Sequence, residues 1–217
     1  MIGMETKHTN TKIDFSTIDA FLFDLGGVII DIDPQATINA FSELGLPQLQ
    51  QQINHGHHEG LFKQLEKGAI SRTHFIHSIK EQLDRNIEET QIVEAWNKML
   101  VDFPDERLRI LEHLKKTKPV YLLSNTNLIH HKRFAHMANG YKSIDDLFTQ
   151  TFYSYQLGCS KPDAEPFEKV ISATHIKPEK TLFLDDSLMN IETAQQLGFQ
   201  TAWVKTGHTM QEIFTGM

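Results

Sequence analysis

Hydrophobic and polar positions fall into two textures along the chain. Short apolar runs occupy 20–23 (AFLF), 120–123 (VYLL), 181–184 (TLFL) and 201–204 (TAWV), each followed by small or polar residues and then by helical periodicity. Runs of that length alternating with helices predict strands of a parallel sheet covered on both faces. Between 35 and 100 such runs are missing. Apolar residues there recur at helical spacing: Ile38, Phe41, Leu44; then Leu61, Phe62, Leu65; then Phe75, Ile76, Ile79, Leu83; then Ile92, Val93, Trp96, Met99, Leu100. Turn signals near Pro47, Gly68 and Asn86 separate these helices. The expected architecture is α/β, a Rossmann-like doubly wound parallel sheet, with an all-helical insertion after the first strand. The expected boundaries are a flexible tail over 1–15, a core made of 16–34 and 101–217, and the insertion over 35–100.

Composition narrows the function classes. The net charge of −7 argues against a binder of phosphate backbones, which needs a basic face, so no nucleic-acid partner is expected. The single cysteine, Cys159, excludes an intramolecular disulfide and fits a reducing compartment. Nothing in the chain is long and apolar enough to span a bilayer, and the polar start MIGMETKHTNTK has no apolar signal-peptide core. A cytoplasmic protein with no membrane partner is the expectation. Oligomeric state is left open.

In open parallel sheets, ligands bind at the carboxyl ends of the strands. Here those ends carry chemistry. Asp24 closes the first run; Ser124, Asn125, Thr126 and Asn127 close the second; Asp185 and Asp186 close FLDD; Lys161 lies in the loop before that strand. One such aspartate alone reads as a helix cap. Three carboxylates, a hydroxyl and an ammonium converging on one sheet edge read as a catalytic site.

The segments FDLGGVIID, LLSNTN, SKPD and FLDDSLMNIETA resemble, in order, the four motifs of the haloacid dehalogenase-like (HAD) superfamily, from about Ile18 to the end of the chain. The helical insertion resembles that family's small C1-type cap domain. The resemblance implies a Mg²⁺-dependent phosphatase in which Asp24 is the nucleophile and forms an aspartyl-phosphate. It implies Asp24, Asp186 and the Gly26 carbonyl as metal ligands, with Asp185 as a further carboxylate at the metal. Lys161 would pair with the phosphate and keep Asp24 ionised. Ser124 and the Asn125 amide would bind phosphate oxygens, as would the backbone of Leu25, Gly26 and Gly27. The expected partner is a small-molecule phosphate ester.

One position departs from the family pattern. Most family phosphatases carry a second Asp two residues after the nucleophile to protonate the leaving alcohol, and this chain has Gly26 there. Two accounts stand side by side. An anomeric phosphate has a better leaving group and needs less help; the first motif and the segment FKQLEKGAIS resemble bacterial sugar-1-phosphate phosphatases, so hexose 1-phosphates are the leading expectation. Otherwise another group substitutes, with Asp31 or a cap histidine as candidates. In INHGHHEG, His57 and His58 would then lie near the site mouth and contact substrate. The missing acid also admits a metal-independent 2-haloacid dehalogenase, and a catalytically weak phospho-ligand-binding protein. Asn190 can return to the site from the next helix, whereas Glu66 reads as a residue on a solvated helix face, with a contact between cap and core as the alternative.

Overall fold

A computed structural model describes residues 13–53, 60–83 and 87–215. In chain order the elements are β1 (Ala20–Phe23), β2 (Asp31–Ile32), α1 (Pro34–Glu43), α2 (Gly60–Glu66), α3 (Arg72–Lys80), α4 (Glu89–Asn97) and β3 (Leu100–Asp102). There follow α5 (Asp105–Lys115), β4 (Val120–Ser124), α6 (Leu128–Phe134), β5 (Gln150–Tyr153), α7 (Ser154–Leu157), α8 (Glu165–Thr174), β6 (Thr181–Asp185), α9 (Leu188–Gln196), β7 (Gln200–Trp203) and α10 (Met210–Ile213). Five strands form one parallel sheet in the order β5-β4-β1-β6-β7. The chain winds outward from β1 through β4 to β5, then crosses back to β6 on the other side. Strand order therefore reverses at β1, and the crevice at its carboxyl end is where such a sheet leaves room for a ligand.

The apolar runs are continuous because both faces of the sheet are buried. Phe21, Phe23, Val120, Leu122, Leu182 and Leu184 pack with Leu108, Leu111 and Leu114 of α5 and with Met210 and Phe214. The alternate residues Ala20, Leu22, Tyr121, Leu123 and Phe183 pack on the opposite side with Phe167 and Val170 of α8 and Ile191 and Ala194 of α9. This period of two is the pleat of the strand, with a helical layer against each side.

The helices α1 to α4 build a separate apolar cluster. Phe62 sits at its centre, with its ring 5.8 Å from Phe41, 5.4 Å from Phe75 and 4.6 Å from Trp96. The cluster reaches the α/β part through Ile129 of α6, and Trp96 stacks on the His130 ring at 4.4 Å. Where the chain leaves the α/β part and where it returns, β2 and β3 lie side by side and antiparallel. Thr37 strengthens this junction, because its hydroxyl takes the Met99 N–H at 2.9 Å and lies 3.0 Å from the carbonyls of Ala95 and Trp96.

The observed elements depart from the sequence expectation in three places. The β5 strand is absent from the expectation; it is an edge strand whose first two residues are not buried, so no apolar run marks it. The β2–β3 pair is too short to leave a pattern. Leu100 begins β3 and does not continue α4, although it falls in register with the helical periodicity.

Candidate active site

The site starts from a lysine with no contact with water. Lys161 is 0% exposed, and its Nζ donates to Asp24 Oδ1 at 2.7 Å and to Asp185 Oδ2 at 2.6 Å. Two carboxylates facing this ammonium hold its pKa above the ordinary lysine value despite burial, so it stays charged. Its backbone is fixed as firmly as its head. The Asn125 side chain brackets the Lys161 peptide, donating to its carbonyl at 2.8 Å and accepting its N–H at 2.9 Å. Loop and β4 are thereby tied together, and the lysine is aimed at the end of β1.

Asp185, also 0% exposed, is fully occupied. Besides Lys161 it accepts the Ser187 N–H at 2.8 Å and both Asn190 Nδ2 contacts, at 2.9 and 3.0 Å. Asp186 instead borders the cavity. This explains Gly27. The residue has φ of 71°, and a Cβ built on it would overlap the Asp186 carboxylate. At Gly27 the neighbour that excludes a side chain is Asp186. Gly26 is different, since a Cβ there would meet only Ile32, at 3.5 Å. Room alone does not demand glycine at that position.

The cavity of about 100 Å³ above these groups is lined by Asp24, Leu25, Gly26, Ser124, Asn125, Lys161, Asp186 and Asn190, among others. Its other walls include Pro34, Glu66, Met99 and Leu100, contributed by the helical part and its junction. Of the described residues in the sequence-derived set, Asp24, Leu25, Gly26, Ser124, Asn125, Lys161 and Asp186 line this one cavity, and Gly27 and Asp185 do not. Two positions depart from their expected surroundings. Asp31 is taken by Arg107, whose Nη1 lies 2.8 Å from its carboxylate, and it does not line the cavity. Glu66 is not on a solvated face; it is 3% exposed and borders the cavity. His57 and His58 lie outside the described residues. His130, which sequence reasoning passed over, also lines the cavity. Burial pushes its pKa down to about 4, so the ring is neutral, with Nε2 3.0 Å from the Trp96 carbonyl.

Charge at the site is unbalanced. Asp24, Asp185 and Asp186 offer oxygens within 4.8 Å of one another, the one group of this kind among the described residues. One ammonium serves all three. Burial and the neighbouring carboxylates push the Asp24 carboxyl up to about 8 against the pull of Lys161. Burial and Asp185 push Asp186 up to about 7. A buried, oxygen-only donor set with negative charge in excess fits a hard divalent cation such as Mg²⁺.

Comparison with known proteins agrees with this geometry. Residues 18–198 match the model of the haloacid dehalogenase-like hydrolases. A D-ribitol-5-phosphate phosphatase of Bacteroides thetaiotaomicron is 32% identical over 200 residues, covering 91% of this chain and 97% of that protein. A sesquiterpene phosphatase of Aspergillus oryzae is 28% identical over 188 residues, 84% of this chain and 88% of its own. Among solved structures, a HAD-family enzyme of Bacteroides thetaiotaomicron in complex with magnesium and inorganic phosphate superposes with a TM-score of 0.86. It is 36% identical, over 91% of this chain and 98% of that one. The L-2-haloacid dehalogenase of Xanthobacter autotrophicus shares the fold alone, with 17% identity and a TM-score of 0.59 over 86% of this chain and 77% of its own. With its motifs on the strand ends of a doubly wound sheet, this chain belongs to the haloacid dehalogenase-like hydrolases.

Proposed function

We propose that this protein is a Mg²⁺-dependent phosphatase acting on a small phosphorylated sugar or sugar alcohol, with Asp24 as the nucleophile. The observation that carries the reading is the Lys161 ammonium held between Asp24 and Asp185 at the floor of a small cavity. Asp24, Asp186 and the Gly26 carbonyl would hold the metal, and Asp185 orients Lys161 from behind. Bound there, Mg²⁺ neutralises charge between the nucleophilic carboxylate and the phosphate dianion. Lys161 orients one Asp24 oxygen and faces the phosphate charge that develops. The Ser124 hydroxyl and the Asn125 amide bind phosphate oxygens, and the Asp24 carboxylate displaces the alcohol to give an aspartyl-phosphate that water hydrolyses. The helices α1 to α4 serve as the cap over the site. A cavity of about 100 Å³ suits a small metabolite, and the sugar-alcohol phosphatase among the relatives supports that substrate class.

The test is phosphate release from a panel containing hexose 1-phosphates and pentitol 5-phosphates, with Mg²⁺ and with EDTA. Metal-dependent turnover of at least one is expected, and silence on every ester would overturn the reading. Halide release from a 2-haloacid without metal would instead favour the dehalogenase alternative. Gly27→Ala gives a second check. The strained φ and the overlap with Asp186 should lower kcat at least about tenfold and raise the Mg²⁺ concentration for half-maximal rate. Unchanged Mg²⁺ dependence would argue that Asp186 does not touch the metal.

A further inference from the structure

Gly26 leaves the proposed reaction without its usual proton donor. Cleaving an alkyl phosphate expels an alkoxide-like oxygen, and a positioned acid typically lowers that barrier by a factor of about 10² to 10⁴. Among the described cavity residues the side chains with a suitable proton are Asp24, Glu66, His130, Lys161 and Asp186. Asp24 is the nucleophile, and Asp186 belongs to the metal. Lys161 is committed to two carboxylates at 2.7 and 2.6 Å. The buried neutral His130 ring has its Nε2 turned to the Trp96 carbonyl at 3.0 Å. The geometry points to Glu66, carried on the last turn of α2, as the group that protonates the leaving oxygen and then deprotonates the attacking water. This rests on the phosphatase reading given above.

Three observations place Glu66 for that task. It is 3% exposed yet borders the cavity. Only Oε1 is engaged, by the Lys63 ammonium at 3.0 Å; among the described residues Oε2 has no hydrogen-bond partner. The residue is also pinned to the α/β part, so its position over the site is defined. Its carbonyl accepts from the Ser154 hydroxyl at 2.7 Å, and that hydroxyl also meets the Thr126 carbonyl and N–H, each at 2.8 Å. Lys67 pairs with Asp163 at 3.2 Å, and Gly68 lies so close to the Tyr155 carbonyl that a Cβ there would overlap it. Burial raises the Glu66 carboxyl above the usual range, opposed by Lys63, Lys161 and Lys67.

The protons balance. In the first step the Asp24 oxygen bonds to phosphorus, the bond from phosphorus to the alcohol oxygen breaks, and that oxygen takes the Glu66 proton. In the second, water adds to phosphorus, gives one proton to the Glu66 carboxylate, and the Asp24 carboxylate leaves.

The deciding experiment compares first-turnover alcohol release and steady-state rate for propyl phosphate and p-nitrophenyl phosphate in the full chain, as wild type, Glu66→Gln and Glu66→Asp. Nitrophenolate leaves without a proton; propoxide does not. The Gln variant should lose about 100-fold in first-turnover rate on propyl phosphate. On the aryl ester it should keep its first turnover within about threefold and then stall, giving a burst. The Asp variant should show the same contrast at smaller amplitude. Equal first-turnover losses on both esters in folded variants, checked by circular dichroism, would overturn the assignment in favour of a structural role. So would full retention of propyl phosphate turnover, which would leave the proton to a group such as His57 or His58. Wild-type inactivity on every ester would instead defeat the phosphatase reading, and the two failures are distinguishable.

Discussion

Replacing Asp24 with asparagine should lower phosphate release by about 10⁴-fold or more, with the fold intact. The amide keeps an oxygen to accept from Lys161 in place of the carboxylate that meets it at 2.7 Å. It also relieves crowding with Asp185 and Asp186, which add to the burial that pushes the Asp24 carboxyl up to about 8. Stability should therefore hold or rise while the nucleophile is lost, because an amide does not displace an alcohol from phosphorus. Acid-quenched protein incubated with substrate should carry acid-stable label in the wild type and none in the variant. A variant retaining more than about one hundredth of the wild-type rate would place the nucleophile elsewhere.

Lys161→Met should destabilise the fold and abolish activity together. It leaves Asp24 and Asp185 facing one another in a site where Lys161 and Asp185 are both 0% exposed. Removing one partner from a buried, hydrogen-bonded ion group costs about 3–5 kcal/mol, since a buried charge loses its compensation. Urea unfolding in EDTA reads this without metal binding. Adding Asp185→Asn to Lys161→Met should restore part of that stability, because the uncompensated carboxylate is gone, yet restore no activity. An unchanged unfolding midpoint in the single variant would mean that the carboxylates take up protons without penalty, and the ammonium would not be the hub of the site.

Most of the α/β part is legible from the chain because double-sided burial writes continuous apolar runs. Strands β1, β4 and β6 show it, each buried along its whole length, and their polar endings deliver Asp24, Ser124 and Asp185 to one edge. Strand β5 leaves no such run, since its first two residues are not buried. Leu100 is a further case: its spacing continues a helix, and its pairing with Ile32 makes it a strand. Local period cannot decide between the two for a residue at an element's end.

The same division holds within the site. Sequence by itself determined the strand-end chemistry, the helical insertion and the vacancy at Gly26, because each is carried by residue type at a fixed distance from an apolar run. Tertiary structure decided the partners. Asp185 faces inward to Lys161 and Asn190, while its neighbour Asp186 faces the cavity, a difference set by the alternation of side chains along the strand end. Asp31 is claimed by Arg107, 76 positions further along the chain. Glu66 looks like any polar residue on an amphipathic helix; only the docking of α2 against Ser154 and Tyr155 buries it at the cavity that Asp24 also lines. Such contacts join residues far apart in the chain, and no local pattern of hydrophobicity encodes which distant carboxylate an arginine or a cavity will meet.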